Sequence, residues 1–174
     1  MIDESRAFQP IQIAVLTISD TRTPADDRSG DSLVRLIEGD GHTVVQRDIL
    51  KDEANLITAR LHTLIDTPAV DCVITTGGTG VTGRDVTPEA FDRVLEKRID
   101  GFGELFRWLS YQKIGTSTIQ SRALGGVARG TYLFALPGSP GAVKDAWQGI
   151  LRTQLDSRHR PCNLAELMPR LKEK

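Results

Sequence analysis

The sequence predicts one α/β domain with a largely parallel sheet and helices on both faces. Three observations carry this. Runs of β-branched and apolar residues recur at 11–19 ("IQIAVLTIS"), 42–50 ("HTVVQRDIL") and 70–76 ("VDCVITT"), as strands covered on both faces read. Stretches with apolar residues at helical spacing separate them. At 174 residues with 39% hydrophobic content, the chain has enough apolar side chain for one packed core and is short for two.

The first strand ends at Ser19 and Asp20. A polar loop, "DTRTPADDRSG", leads to Ser29 as the expected N-cap of a helix with Leu33, Leu36 and Ile37 on one face, closed by Gly39 and Gly41. After the second strand, Leu56, Ile57, Leu61, Leu64 and Ile65 mark another helix, which puts Asp52 at a strand-to-helix junction. The third strand delivers the chain into "TTGGTGVTGRDVTPEA", residues 75–90. Thr87 and Pro88 are the expected N-cap and first residue of a helix of about ten residues, because proline's fixed φ suits the first turn. "GFGELFRWLSYQKIG", 101–115, is expected to turn Leu105, Phe106, Leu109 and Ile114 inward. "GVARGTYLFALPGSP", 126–140, reads as two strands about a turn at Arg129 and Gly130. Ser139 then caps, and Pro140 opens, a helix carrying Val143, Ala146, Trp147 and Ile150. The division is an N-terminal extension at 1–10, the domain at 11–155, and a charged, proline-interrupted tail at 156–174 that packs on the domain or on a neighbouring subunit.

Composition removes several function classes. A net charge of -1 gives no general attraction for nucleic acid or an anionic membrane, so any phosphate binding must be local. The opening "MIDESRAFQP" carries charges where a secretory signal needs an apolar segment, so a cytoplasmic location is expected. Cys72 and Cys162 make neither a disulfide framework nor a zinc site, and His42, His62 and His159 lack metal-ligand or triad spacing.

In open α/β sheets ligands bind beyond the carboxyl ends of the strands, where helix N-termini aim their free N–H groups outward. That rule selects Ser19 and Asp20, Asp52, the glycine loop with Asp85, and the turn Pro137, Gly138, Ser139. The loop nearly fits two phosphate motifs and satisfies neither. A dinucleotide fold needs its third glycine inside the helix and uses the first strand-helix unit, whereas this loop follows the third strand and Pro88 delays the helix. A P-loop needs lysine and a hydroxyl where Arg84 and Asp85 stand. Glycines that let backbone N–H groups approach an anion, beside an aspartate able to hold Mg²⁺, suit phosphate binding all the same; a tight surface turn is the plainer alternative. Asp52 reads either as a helix cap or as a second Mg²⁺ carboxylate, Ser19 and Asp20 as turn caps or nucleotide contacts, and Pro137 to Ser139 as a helix entry or an anion site.

"LTISD", the Asp52-Glu53 pair, "TTGGTG", "GRDVTPEA", "GFGE", "TSTIQSRA" and "LPGSP", in that order, resemble the MoaB/MogA family of molybdenum cofactor biosynthesis proteins over about residues 11–165. "SYQKIGTSTIQSRA" and "RPCN" look most like the MoaB branch. The resemblance implies a three-layer α/β/α sandwich and Mg-ATP-dependent adenylylation of molybdopterin with release of pyrophosphate. The alternative is a non-catalytic carrier of molybdopterin or a precursor. It also implies Asp52 and Asp85 as catalytic, Mg²⁺-holding acids. Ser19, Asp20, Gly77, Gly78, Thr79, Gly80, Pro137, Gly138 and Ser139 would form the nucleotide site, and Ser121 and Arg122 part of a pterin pocket. Other proteins of the pathway are the implied partners, together with a homotrimeric or homohexameric assembly.

Overall fold

The computed structural model describes residues 1–173. Six strands form one sheet: β1 (Gln12–Ile18), β2 (Thr43–Leu50), β3 (Cys72–Thr76), β4 (Lys97–Arg98), β5 (Leu124–Ala128) and β6 (Thr131–Leu136), in the order β2-β1-β3-β6-β5-β4. Strands β2, β1, β3 and β6 are parallel, while β5 runs antiparallel to β6 and β4 antiparallel to β5. The carboxyl ends of the four parallel strands therefore share one edge, as the candidate residues require.

Alternation along the buried strands sorts side chains to two cores. Ile13, Val15, Cys72, Ile74, Tyr132 and Phe134 face α1 (Arg28–Gly39), α4 (Asp100–Ile114) and α5 (Pro140–Ala146). Ala14, Leu16, Val73, Leu133 and Ala135 face α2 (Ala54–Ile65) and α3 (Thr87–Asp92). The result is a three-layer α/β/α sandwich. Past α5 the helical path continues through a π-type turn, Trp147–Leu151, which seats the fully buried Trp147 with its indole N–H donating to Asp40 at 2.7 Å. Residues of the tail pack against the first ten and against β6: the Gln9 N–H donates to Ser157 Oγ at 3.0 Å, and the Tyr132 hydroxyl donates to the Leu164 carbonyl at 2.9 Å.

Three local expectations are corrected, and one short strand is added. The cap of α1 is Asp27, whose carboxylate accepts from the Gly30 N–H at 2.9 Å, and Ser29 sits inside the first turn. Asp27 wins because Thr17 and Arg47 also bind it, bonds that only the tertiary fold supplies. Helix α3 is six residues long and begins at Thr87, after Val86. It stops early because the chain rejoins the sheet, where the Glu96 N–H donates to the Val127 carbonyl ahead of β4. In α4 the inward side chains are Phe102, Phe106 and Ser110, whereas Leu105 and Ile114 are exposed, as are Trp108 and Tyr111. Strand β4, two residues long, offers no periodicity to read.

His42 belongs to the packing. It lies against Phe8 and Trp147, and its Nδ1 accepts from the Ile11 N–H at 3.1 Å, which places the ring proton on Nε2. Burial pushes its pKa below the ordinary 6.5, against the pull of Asp156 and Asp40, which face it. The unfolded chain thus binds the extra proton more readily, and the stability His42 contributes is full above about pH 6.5 and is lost as pH falls through the lower folded-state value. Thermal unfolding followed by tryptophan fluorescence is expected to show a midpoint that falls from about pH 7 to about pH 5.5 in the native chain, and falls less in His42→Asn, which keeps an acceptor but cannot titrate. Parallel slopes for the two would dismiss His42 as the titrating group.

Among the described residues no helix is long and apolar enough to cross a membrane.

Candidate active site

A cleft of about 550 Å³ opens beyond the carboxyl ends of β1, β3 and β6. Its base is set by backbone geometry. Gly77 sits at φ +108° and Gly78 at φ +65°, in the left-handed region, and a Cβ on Gly77 would stand 2.1 Å from the Ile18 carbonyl oxygen. Only glycine lets β3 turn this closely past β1. The loop is tied down by the Thr87 hydroxyl, which donates to the Gly77 carbonyl at 2.9 Å.

Asp85 reaches back under the same loop. Its Oδ2 accepts from the Thr82 N–H at 2.9 Å and from the Thr82 hydroxyl at 2.6 Å. Burial raises its pKa, but the Thr82 donors, the Gly80 N–H and the charge of Arg122 outweigh that and hold the carboxyl below its ordinary value. Asp85 is ionised at neutral pH.

Asp52 is the opposite case. It precedes α2 without capping it, and no side chain among the described residues donates to its carboxylate. Burial pushes its pKa up, the charge of Asp20 adds to this, and the charge of Asp85 contributes in the same direction, against the Asp20 backbone N–H and the Arg84 charge. Two acids from different strand ends thus feel each other across the cleft, one satisfied and one short of a positive partner.

That imbalance is what a cation would relieve. Among the described residues no group of three or more His, Cys, Asp or Glu is arranged to hold a metal. The donor set, two carboxylates beside hydroxyls and backbone carbonyls, fits a hard cation such as Mg²⁺, which takes one or two carboxylates and fills its other positions with phosphate oxygen and water.

The other residues expected here divide. Ser19, Thr79, Gly80, Ser121 and the Pro137, Gly138, Ser139 turn line the cleft. Ser139 caps α5, accepting from the Ala142 N–H at 3.1 Å. Asp20 stands at the rim with its carboxylate engaged by Arg84 through two bonds of 2.7 and 2.8 Å, and it also accepts from the Asp52 N–H at 3.2 Å. Arg122 lies behind the loop, outside the cleft lining. Its guanidinium donates to the Gly80 carbonyl at 2.6 Å and to the Asp85 carbonyl at 2.5 Å and pairs with Glu89. In this structure it is a strut for the glycine loop rather than a wall of the pocket.

Sequence reasoning missed three parts of the site. One wall of the cleft comes from Phe106, Ser110 and Ile114 of α4 and from the 3₁₀ segment Gly115–Gln120. The hydroxyl-rich "TSTIQS" following α4 was the available signal. Thr17 and Thr76 form the floor, and they read in the sequence only as strand residues. Asp27, fully buried, braces the Thr17 side of the cleft; one more acid in "PADDRSG" gave nothing to single it out.

Residues 14–157 match the family described as a probable molybdopterin binding domain. The chain is 45% identical over 163 residues to molybdenum cofactor biosynthesis protein B of Escherichia coli K12, covering 94% of this chain and 96% of that protein. It is 42% identical over 153 residues to the protein of the same name from Bacillus anthracis, covering 87% and 90%. Among solved structures, a molybdenum cofactor biosynthesis protein B superposes with a TM-score of 0.87 at 38% identity, covering 97% of this chain and 100% of that one. The tungsten cofactor synthesizing protein MoaB from Pyrococcus furiosus superposes with a TM-score of 0.78 at 30% identity, covering 96% and 100%. With a family match over residues 14–157 and relatives aligned nearly end to end, this chain belongs to the molybdenum cofactor biosynthesis protein B family.

Proposed function

We propose that the chain serves molybdenum cofactor biosynthesis as a molybdopterin adenylyltransferase, using ATP and Mg²⁺. The observation that carries the reading is the meeting of Asp52 and Asp85 at one cleft with the Gly77 to Gly80 loop and the Ser139 helix entry. In the reaction a terminal phosphate oxygen of molybdopterin attacks the α-phosphorus of ATP. A new P–O bond forms as the α–β bridging bond breaks, and pyrophosphate leaves with the bond's electron pair. Such transfers need in-line positioning and charge stabilisation more than covalent help from the protein. The glycine loop and the start of α5 offer backbone N–H groups to phosphate oxygens. A divalent cation held by Asp52 and Asp85 would neutralise charge on the same oxygens. The α4 and 3₁₀ wall, with Phe106 and a row of hydroxyls, suits a flat, polar-edged ring.

Purified protein incubated with Mg-ATP and molybdopterin is expected to release pyrophosphate and form adenylylated pterin. Tight pterin binding without product would make the chain a carrier in the same pathway. Assembly is part of the proposal: α4 exposes the apolar side chains of Leu105, Trp108 and Tyr111, which a second copy would cover, and sedimentation would distinguish a trimer from a hexamer.

A further inference from the structure

One charged side chain of the cleft has no task in that reading. Arg84, between Gly83 and Asp85, lines the cleft, and 60% of its side chain is exposed, so a bound ligand can reach it.

The Arg84 guanidinium is held along one edge. Its Nε donates to Asp20 Oδ2 at 2.8 Å and its Nη2 to Asp20 Oδ1 at 2.7 Å, the two parallel bonds of a fork on a carboxylate. A guanidinium has five N–H donors. Among the described residues Asp20 takes two of them and nothing takes the others. Nη1 and the outer hydrogen of Nη2 point side by side from the end of the group, a second fork with the spacing that two phosphate oxygens fill. Asp20 is itself anchored, since its Oδ1 also accepts from the Asp52 N–H at 3.2 Å. The end of β1, the turn into α2 and the glycine loop thus meet on one carboxylate, which fixes the plane of the guanidinium before any ligand arrives.

Charge alone does not bring an anion here. Asp20, Asp52 and Asp85 stand against Arg84, and on the Thr17 side Asp27 and Asp31 share Arg47. Arg22 is matched by Asp26 and Arg122 by Glu89, while Lys51 and Glu53, both exposed, flank Asp52 with opposite charges. The acids hold the majority. A phosphate therefore reaches Arg84 in company with a divalent cation, and the fork adds direction to the charge that the cation supplies.

We propose that Arg84, held in plane by Asp20, is a phosphate-binding residue whose outer edge grips a phosphate group of a cation-bound substrate. Asp20 acts through Arg84 as a positioning residue. This deepens the adenylyl-transfer reading and rests on it for the two sources of the group, the β and γ phosphates of ATP and the terminal phosphate of molybdopterin.

Calorimetry with Mg²⁺ present tests it in two arms: ATP against AMP, and molybdopterin against its dephosphorylated form, each pair differing by phosphate. In one arm Arg84→Gln is expected to weaken the more phosphorylated ligand at least about tenfold and to leave the other unchanged, the scale of losing hydrogen bonds from a charged donor. That arm names the source. Arg84→Lys keeps the charge without the fork and is expected to recover only part of the loss; full recovery would overturn the fork. Asp20→Asn is expected to weaken the same ligand, because the guanidinium loses its hold, whereas removing an acid from an acid-rich mouth would by charge alone tighten it. The Asp20–Arg84 pair is exposed, so the thermal midpoint is expected to move by no more than about 2 °C in each variant. An Arg84→Gln chain unchanged in both arms, or tighter binding by Asp20→Asn, would overturn the proposal alone and leave adenylyl transfer standing. A native chain that bound none of the four ligands would overturn both.

Discussion

Asp85→Asn is expected to lower the rate of adenylyl transfer at least about a hundredfold while the chain stays folded, the scale of losing one preorganised electrostatic contact. The side chain's two roles separate in this variant. Its structural role is to accept from Thr82 beneath the glycine loop, and an amide oxygen in the same place still accepts. Its electrostatic role requires the charge that the Thr82 and Gly80 donors and Arg122 preserve at neutral pH, and the amide lacks it. Pyrophosphate release measured beside thermal unfolding would therefore show a large kinetic change with little movement in the midpoint. Near-normal turnover would remove Asp85 from the chemistry. A large fall in the midpoint would instead assign it to the loop's architecture.

The second large effect concerns stability. Asp27→Ala is expected to destabilise the fold by about 3 kcal/mol, toward the low end for removing one member of a buried ion pair because Arg47 retains some solvent. The loss is concentrated in what the alanine leaves behind. The Arg47 guanidinium keeps a second partner in Asp31, but Thr17 Oγ1 and the Gly30 N–H lose their acceptor in a buried setting. Urea unfolding of both chains measures the difference. A change under about 1 kcal/mol would place Asp27 among ordinary helix caps.

Much of this site was legible before the fold was known, because its parts are written locally. Glycines at 77, 78 and 80, Pro140 after Ser139, and acids immediately following apolar runs each carry a meaning that needs only neighbours in the chain. The parallel core was legible for a similar reason, since strands buried on both faces lose the polar alternation that a half-exposed strand retains. Arg122 shows where that reading ends. The family resemblance put it in a pterin pocket, whereas its long side chain binds the Gly80 and Asp85 carbonyls and Glu89 behind the loop. Helix α4 shows it again: spacing marked Leu105 and Ile114 as inward, but the hydrophobic period of a helix cannot say which of two apolar stripes meets the sheet.

The sequence by itself determined the kind of fold, the edge of the sheet at which the cleft opens, and the family. These follow from short-range preferences: strand burial, glycine and proline geometry, and motifs in fixed order. Tertiary structure alone decided which acid is satisfied and which is left short of a positive partner, which residue caps α1, and which way the hydroxyl protons of Thr17 and Thr76 point. Those depend on partners up to about sixty residues away along the chain, and a hydrogen bond or a buried charge is governed by what stands within a few ångströms in space rather than by what is adjacent in the chain.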